Sequence, residues 1–90
     1  MQQTIHILIK GKVQGVYFRQ STKQKADELG ISGEVRNLAG GDVSIQATGT
    51  ESQLQQLIAW CRQGPPRAVV TTIETETIKS VSFTGFFVKR

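Results

Sequence analysis

The sequence predicts an α+β domain in which two helices cover one face of a mostly antiparallel sheet. Three observations predict it. Apolar residues alternate in several short segments, as in strands with one buried face. Two longer segments switch to helical spacing. The order in which the two patterns occur is β-α-β-β-α-β, with one further short strand at the end. That order suits the split βαβ, or ferredoxin-like, arrangement.

The first strand is "TIHILIK", where Ile5, Ile7 and Ile9 alternate with His6, Leu8 and Lys10. The first helix is "FRQSTKQKADELG". Phe18, Thr22, Ala26 and Leu29 fall on one face, and Gly30 suits the stop. "GEVRN" is a short second strand, and the glycines of "LAGG" suit a hairpin. "DVSIQATG" is the third strand, with Val43, Ile45 and Ala47 on one side. The second helix is "TESQLQQLIAWCRQG". Thr50 and Gln53 have the spacing of a capping box, and Leu54, Leu57, Ile58 and Cys61 form its apolar stripe. Gly64-Pro65-Pro66 ends it. "AVVTTIETETI" is a β-rich segment, and "FTGFFVKR" supplies a short closing strand. Trp60 lies beside the stripe, which predicts partial burial at an edge.

With 90 residues, the chain is read as a single domain, residues 1–90. No apolar run has the length or flanks of a signal peptide or a membrane span. There is one cysteine and one histidine, so neither an internal disulfide nor a Cys/His zinc site can be assembled. A reducing, cytoplasmic setting is the expectation. Neither a metal nor a cofactor is expected, since the candidate segments contain no cluster of ligating side chains. The formal net charge of +4 suits an anionic partner, and equally suits mere solubility. No heptad or large apolar helix face asks for a partner, so a monomer is expected.

The segment "GKVQGVYFR" is long for a turn and lacks the usual capping residue before its helix. A loop that leads into a helix can aim several N–H groups in one direction, and the helix start adds unpaired donors and a partial positive charge. Such a loop binds oxyanions, phosphate above all. Arg19 adds a planar fork of donors, while Val16 and Phe18 pin the loop from inside. The same residues also suit a plain surface loop with a solvated Arg19. In "GEVRN", Asn37 shares the parity of Val35, which places it on the helix side at its strand end. Asparagine before a Gly-rich turn is equally common for conformational reasons alone.

Taken together, these segments resemble the acylphosphatase family. One signature, G-x-V-Q-G-V-x-F/Y-R, matches Gly11 to Arg19 throughout. The other matches "GEVRNLAGGDV…G" from Gly33 to Gly49, save that Glu34 stands where an aromatic is usual. Thr22, Ala26, Leu29-Gly30, Trp60 and Gly64-Pro65 also fit. The resemblance implies hydrolysis of acyl phosphates to a carboxylate and inorganic phosphate without a metal. It maps the phosphate-binding loop onto Gln14, Gly15, Val16, Tyr17, Phe18 and Arg19, the catalytic arginine onto Arg19 and the catalytic asparagine onto Asn37. Glu34 has the opposite parity to Asn37, so its side chain is expected on the exposed sheet face.

This chemistry suits the groups. A carboxylate leaves an acyl phosphate without a strong general acid. What remains is to hold the phosphoryl group, offset its charge and align a water. His6 is read as structural and Cys61 as core. Two alternatives stand beside this reading. One is a non-catalytic domain that binds acyl phosphate or carbamoyl phosphate. The other is an RNA-binding module, which would need stacking aromatics on its central strands, and "DVSIQA" has none. No nucleic-acid or membrane partner is therefore expected.

Overall fold

The computed structural model describes residues 1–89. The chain runs β1 (Gln2–Lys12), α1 (Phe18–Leu29), β2 (Ser32–Asn37), β3 (Val43–Thr50), α2 (Glu51–Gln63), β4 (Val69–Ile78) and β5 (Phe86–Val88). The strands form one sheet in the order β4-β1-β3-β2-β5. All pairs are antiparallel except β2 with β5. The helices lie side by side, α1 against β2 and β5, α2 against β1, β3 and β4. This is the expected α+β, ferredoxin-like architecture.

Parity decides which side chains meet the helices. Ile5, Ile7 and Ile9 of β1, Val43, Ile45 and Ala47 of β3, and Val35 of β2 are all buried. The helices return Phe18, Thr22 and Ala26 from α1 and Leu54, Leu57 and Cys61 from α2. Each fully buried Ile or Leu contributes about 1.5–3 kcal/mol, so this one layer is the main source of stability. Ile58 is only half-buried, at the margin of the expected stripe.

The helix ends are built as the sequence suggests. Gly30, in the left-handed region, donates to Asp27 O at 3.2 Å, and Ile31 N–H reaches Ala26 O at 2.9 Å. This doubly bonded C-terminal motif leaves Ile31 to enter the core. At α2, Gln53 N–H donates to Thr50 Oγ1 at 3.2 Å and Thr50 N–H donates to Gln53 Oε1 at 2.8 Å, completing the capping box. Gln53 Nε2 also donates to Leu29 O at 3.0 Å, so the start of α2 is tied to the end of α1.

The opposite sheet face carries His6, Ser44, Gln46, Glu34 and Arg36. His6 Nε2 lies 2.8 Å from Ser44 Oγ, a structural contact away from the loop before α1. Segment 79–85 crosses this face on its way to β5. Val81 N–H donates to Thr4 Oγ1 at 3.0 Å, and Thr48 Oγ1 donates to Val81 O at 2.9 Å. Thr4, with the parity of the open face, is fully buried as a result.

One expectation needs correcting. Glu34 does lie on the face away from Asn37, but its side chain is only 15% exposed. The physical reason is its strand. β2 is an interior strand, with Gln46 of β3 and Phe87 of β5 in register on either side of Glu34. The Arg36 guanidinium folds back onto the carboxylate at 3.0 Å, so Glu34 is covered and paired.

Candidate active site

The loop between β1 and α1 alternates inward and outward residues. Val13, Val16 and Phe18 are buried, whereas Gly15 and Tyr17 are exposed. Gly15 has φ 74° and Tyr17 has φ 63°, both in the left-handed region, while Val16 between them does not. Alternating hand turns successive N–H groups toward one side of a loop, the arrangement of an anion-binding nest. Tyr17 is the N-cap of α1, and its side chain makes no capping hydrogen bond. The first-turn donors of α1 therefore remain open. No backbone carbonyl among the described residues takes the N–H groups of Gly15 through Arg19 outside the regular elements.

The loop is held from behind. Phe18 is 2% exposed and packs on Trp60, with ring centroids 5.6 Å apart and planes tilted by 60°. Trp60 is half-buried at the edge of α2, as expected.

Arg19 stands in the first turn of α1. Its Nη1 donates to Lys89 O at 3.2 Å, and Lys89 N–H donates to Val35 O at 2.8 Å. The guanidinium is thus linked through Lys89 to β2, the strand that carries Asn37. Among the described residues this is its one hydrogen bond, and it engages one of five donors.

Asn37 ends β2 with the parity of Val35. Its Oδ1 is buried and accepts no hydrogen bond from any described residue. Buried polar atoms without partners are rare in folded proteins, and they concentrate where a ligand or water binds. Gln14 joins the two halves. Its Nε2 donates to Leu38 O at 2.8 Å and to Asp42 O at 2.9 Å. The loop before α1 and the hairpin after Asn37 are therefore fastened together. Of the residues that the sequence mapped onto the site, Gln14 is brought directly to the hairpin that follows Asn37, and Arg19 is linked to β2 only through Lys89. The contact of Lys89 with Arg19 had no signal in the sequence.

Cys61 lies on the buried face of α2, in the core. Burial among apolar side chains pushes its thiol up to about 12, which removes the reactive thiolate at neutral pH. Two surface concavities lie elsewhere, one around His6, Glu74 and Glu76, the other between α2 and β4. Neither touches the loop.

The geometry defines a two-layer α+β domain in which Gln14 fastens an amide-rich loop to the hairpin after Asn37, whose Oδ1 is buried and accepts no hydrogen bond among the described residues. A family model described as acylphosphatase matches residues 5–88. An acylphosphatase of Marinobacter nauticus is 51% identical over 82 residues, covering 90% of this chain and 89% of that protein. The structure of an acylphosphatase from Coxiella burnetii superposes with a TM-score of 0.95 at 40% identity, over 98% of this chain and 93% of that one. The crystal structure of the acylphosphatase from Bacillus subtilis gives 0.94 at 32% identity, over the full length of both. The chain belongs to the acylphosphatase family. It is an enzyme that hydrolyses acyl phosphates, and its substrate is a small molecule of that class. Among the described residues, no helix is long and apolar enough to cross a membrane.

Proposed function

We propose that hydrolysis takes place where the loop Gln14–Arg19 faces Asn37. The backbone N–H groups of the loop and of the first turn of α1 hold the phosphoryl oxygens. Arg19 completes the cradle with a planar pair of donors. The charge that builds on the phosphoryl oxygens meets fixed donors, with little rearrangement at the moment of reaction. Asn37 accepts a hydrogen bond from the attacking water through Oδ1 and aligns it opposite the leaving carboxylate. A neutral amide cannot deprotonate that water, so the substrate phosphate takes the proton. The carboxylate leaves without protonation.

The observation that carries this reading is the buried, unpartnered Asn37 Oδ1 on the strand fastened to the loop. A surface loop with a merely solvated arginine gives no reason for that orphan acceptor. We further propose that the chain works as a single domain and a monomer, in the cytoplasm and without nucleic acid. The buried sole thiol suits a reducing compartment.

The test is phosphate release from benzoyl phosphate by the wild type, Arg19→Ala and Asn37→Ala, together with the affinity of each for inorganic phosphate. A group that acts on the water affects the transition state more than the ground state. Asn37→Ala is expected to keep phosphate affinity while turnover falls by roughly 10²–10³. Arg19→Ala is expected to damage both. Wild-type turnover in Asn37→Ala would overturn the assignment of the water.

A further inference from the structure

Gln14 lies in the loop, yet the donors of its side-chain amide are spent on the hairpin after Asn37. A side-chain amide has two N–H donors. Both are engaged, at 2.8 Å to Leu38 O and 2.9 Å to Asp42 O. These two carbonyls are the pair that closes the β2–β3 hairpin. Leu38 N–H donates to Asp42 O at 2.8 Å, and Gly41 N–H donates to Leu38 O at 3.3 Å. Each carbonyl has two lone pairs, so Gln14 adds one hydrogen bond to each arm of a hairpin that is already closed.

We propose that Gln14 is a positioning residue: its amide clamps the anion loop to the hairpin and so sets the distance between the phosphoryl-binding groups and Asn37. The proposal rests on the functional reading above. Leu38 directly follows Asn37, so the clamp acts one residue from the amide that aligns the water. Among the described residues, no other side-chain hydrogen bond joins this loop to this hairpin. The residue type follows from the partners. Two carbonyls require two donors from one side chain, without a charge that would compete with Arg19 for the phosphoryl group. Glutamate would turn acceptors toward acceptors, and asparagine is one methylene short. The clamp acts on an angstrom scale, on which displacement of a reacting group costs about 10²-fold in rate.

The experiment is a double-mutant cycle with Gln14→Met, which keeps the volume and removes both donors, and Asn37→Ala. Turnover on benzoyl phosphate, affinity for inorganic phosphate and Tm are measured for all four proteins. Gln14→Met alone should lower kcat by about ten- to a hundredfold and leave phosphate affinity within about threefold, because the loop keeps its own amides. In the Asn37→Ala background the same change should cost less than about threefold in kcat, since residues that act through one another are not additive. Equal losses in both backgrounds overturn the proposal and leave the functional reading standing. Loss of phosphate affinity with kcat intact also overturns it, by showing that Gln14 serves the phosphoryl group. Wild-type turnover in Asn37→Ala fails the functional reading itself, and is seen in a protein whose Gln14 is untouched. If the Met variant does not fold, Gln14→Asn runs the same cycle. It keeps the amide at shorter reach, and its smaller fall in kcat should vanish in the Asn37→Ala background. An additive fall overturns the proposal.

Discussion

Gly64 lies directly behind the ring of Phe18. A Cβ built on Gly64 would stand 2.7 Å from Phe18 Cε2, and the φ of Gly64 is 68°. Any side chain here must push on the residue that backs the candidate anion loop. Gly64→Ala therefore combines left-handed strain with overpacking, and should lower stability by about 2–4 kcal/mol. Urea unfolding measures this. A loss under about 0.5 kcal/mol, the range of neutral surface changes, would show that the Phe18 ring yields freely.

Tyr17 is strained in a different way. It is 81% exposed, yet holds φ 63° without Gly's freedom. Strain of this kind costs about 1–3 kcal/mol and is found where a loop is held for function. Tyr17→Gly removes the strain but also loosens the unfolded chain, so stability should change by less than about 1 kcal/mol. The consequence lies in substrate binding. If the strained cap keeps the loop preorganised, KM for benzoyl phosphate rises in Tyr17→Gly while the fold is intact. An unchanged KM would assign the conformation to packing of Val16 and Phe18 alone.

The uneven legibility of the sequence has physical causes. Strand and helix positions were readable because burial acts on periodicity: Ile5, Ile7 and Ile9 could face the helices only as a set. The caps at Thr50 and Gly30 were readable because they depend on local chemistry. Glu34 was half-read. Parity gave its face, but coverage depends on which strands flank β2, and the parallel β5 comes from the far end of the chain. The contact of Arg19 with the Lys89 carbonyl and the clamp of Gln14 on Leu38 and Asp42 are likewise long-range. Spacing carries no trace of them.

Cys61 should be inert in the folded protein. Its thiol is buried, and desolvation raises its pKa. Thiol reagents at neutral pH should label it only at the rate of unfolding, with activity retained until then. The sign of the pH effect follows. The unfolded chain releases this proton near the ordinary thiol pKa, the native state only near 12. Stability is therefore undiminished below the unfolded value and falls as pH rises through it toward 12. Cys61→Ala should flatten that alkaline decline. An equally steep decline would place its cause elsewhere.

Chelation gives a separate check on the chemistry. Among the described residues, no three His, Cys, Asp or Glu side chains gather closely enough to hold a metal. Turnover should survive prolonged EDTA treatment. Loss, followed by recovery on adding a divalent ion, would show that the reaction depends on a metal brought in with the substrate.

Arg19→Lys separates charge from shape. Both side chains are cationic at neutral pH, so a loop that needs only positive charge beside it would accept lysine. On the proposed reading, arginine has two tasks at once. One nitrogen is bonded to Lys89 O, which restrains the guanidinium, and the remaining donors would then serve the phosphoryl oxygens. A lysine ammonium is a point charge on a flexible stem and cannot present two parallel donors while anchored by a third. Arg19→Lys should fold normally, because Arg19 lies in the first turn of α1 and is only half-buried. Its phosphate affinity should fall by about tenfold or more, the scale of one charge-assisted hydrogen bond. Its turnover should fall further than its affinity, since the lost alignment matters most as charge builds on the phosphoryl oxygens. Kinetics on benzoyl phosphate and titration with inorganic phosphate give the two quantities. If both stay near wild type, the loop amides hold the phosphoryl group alone and Arg19 supplies only a field.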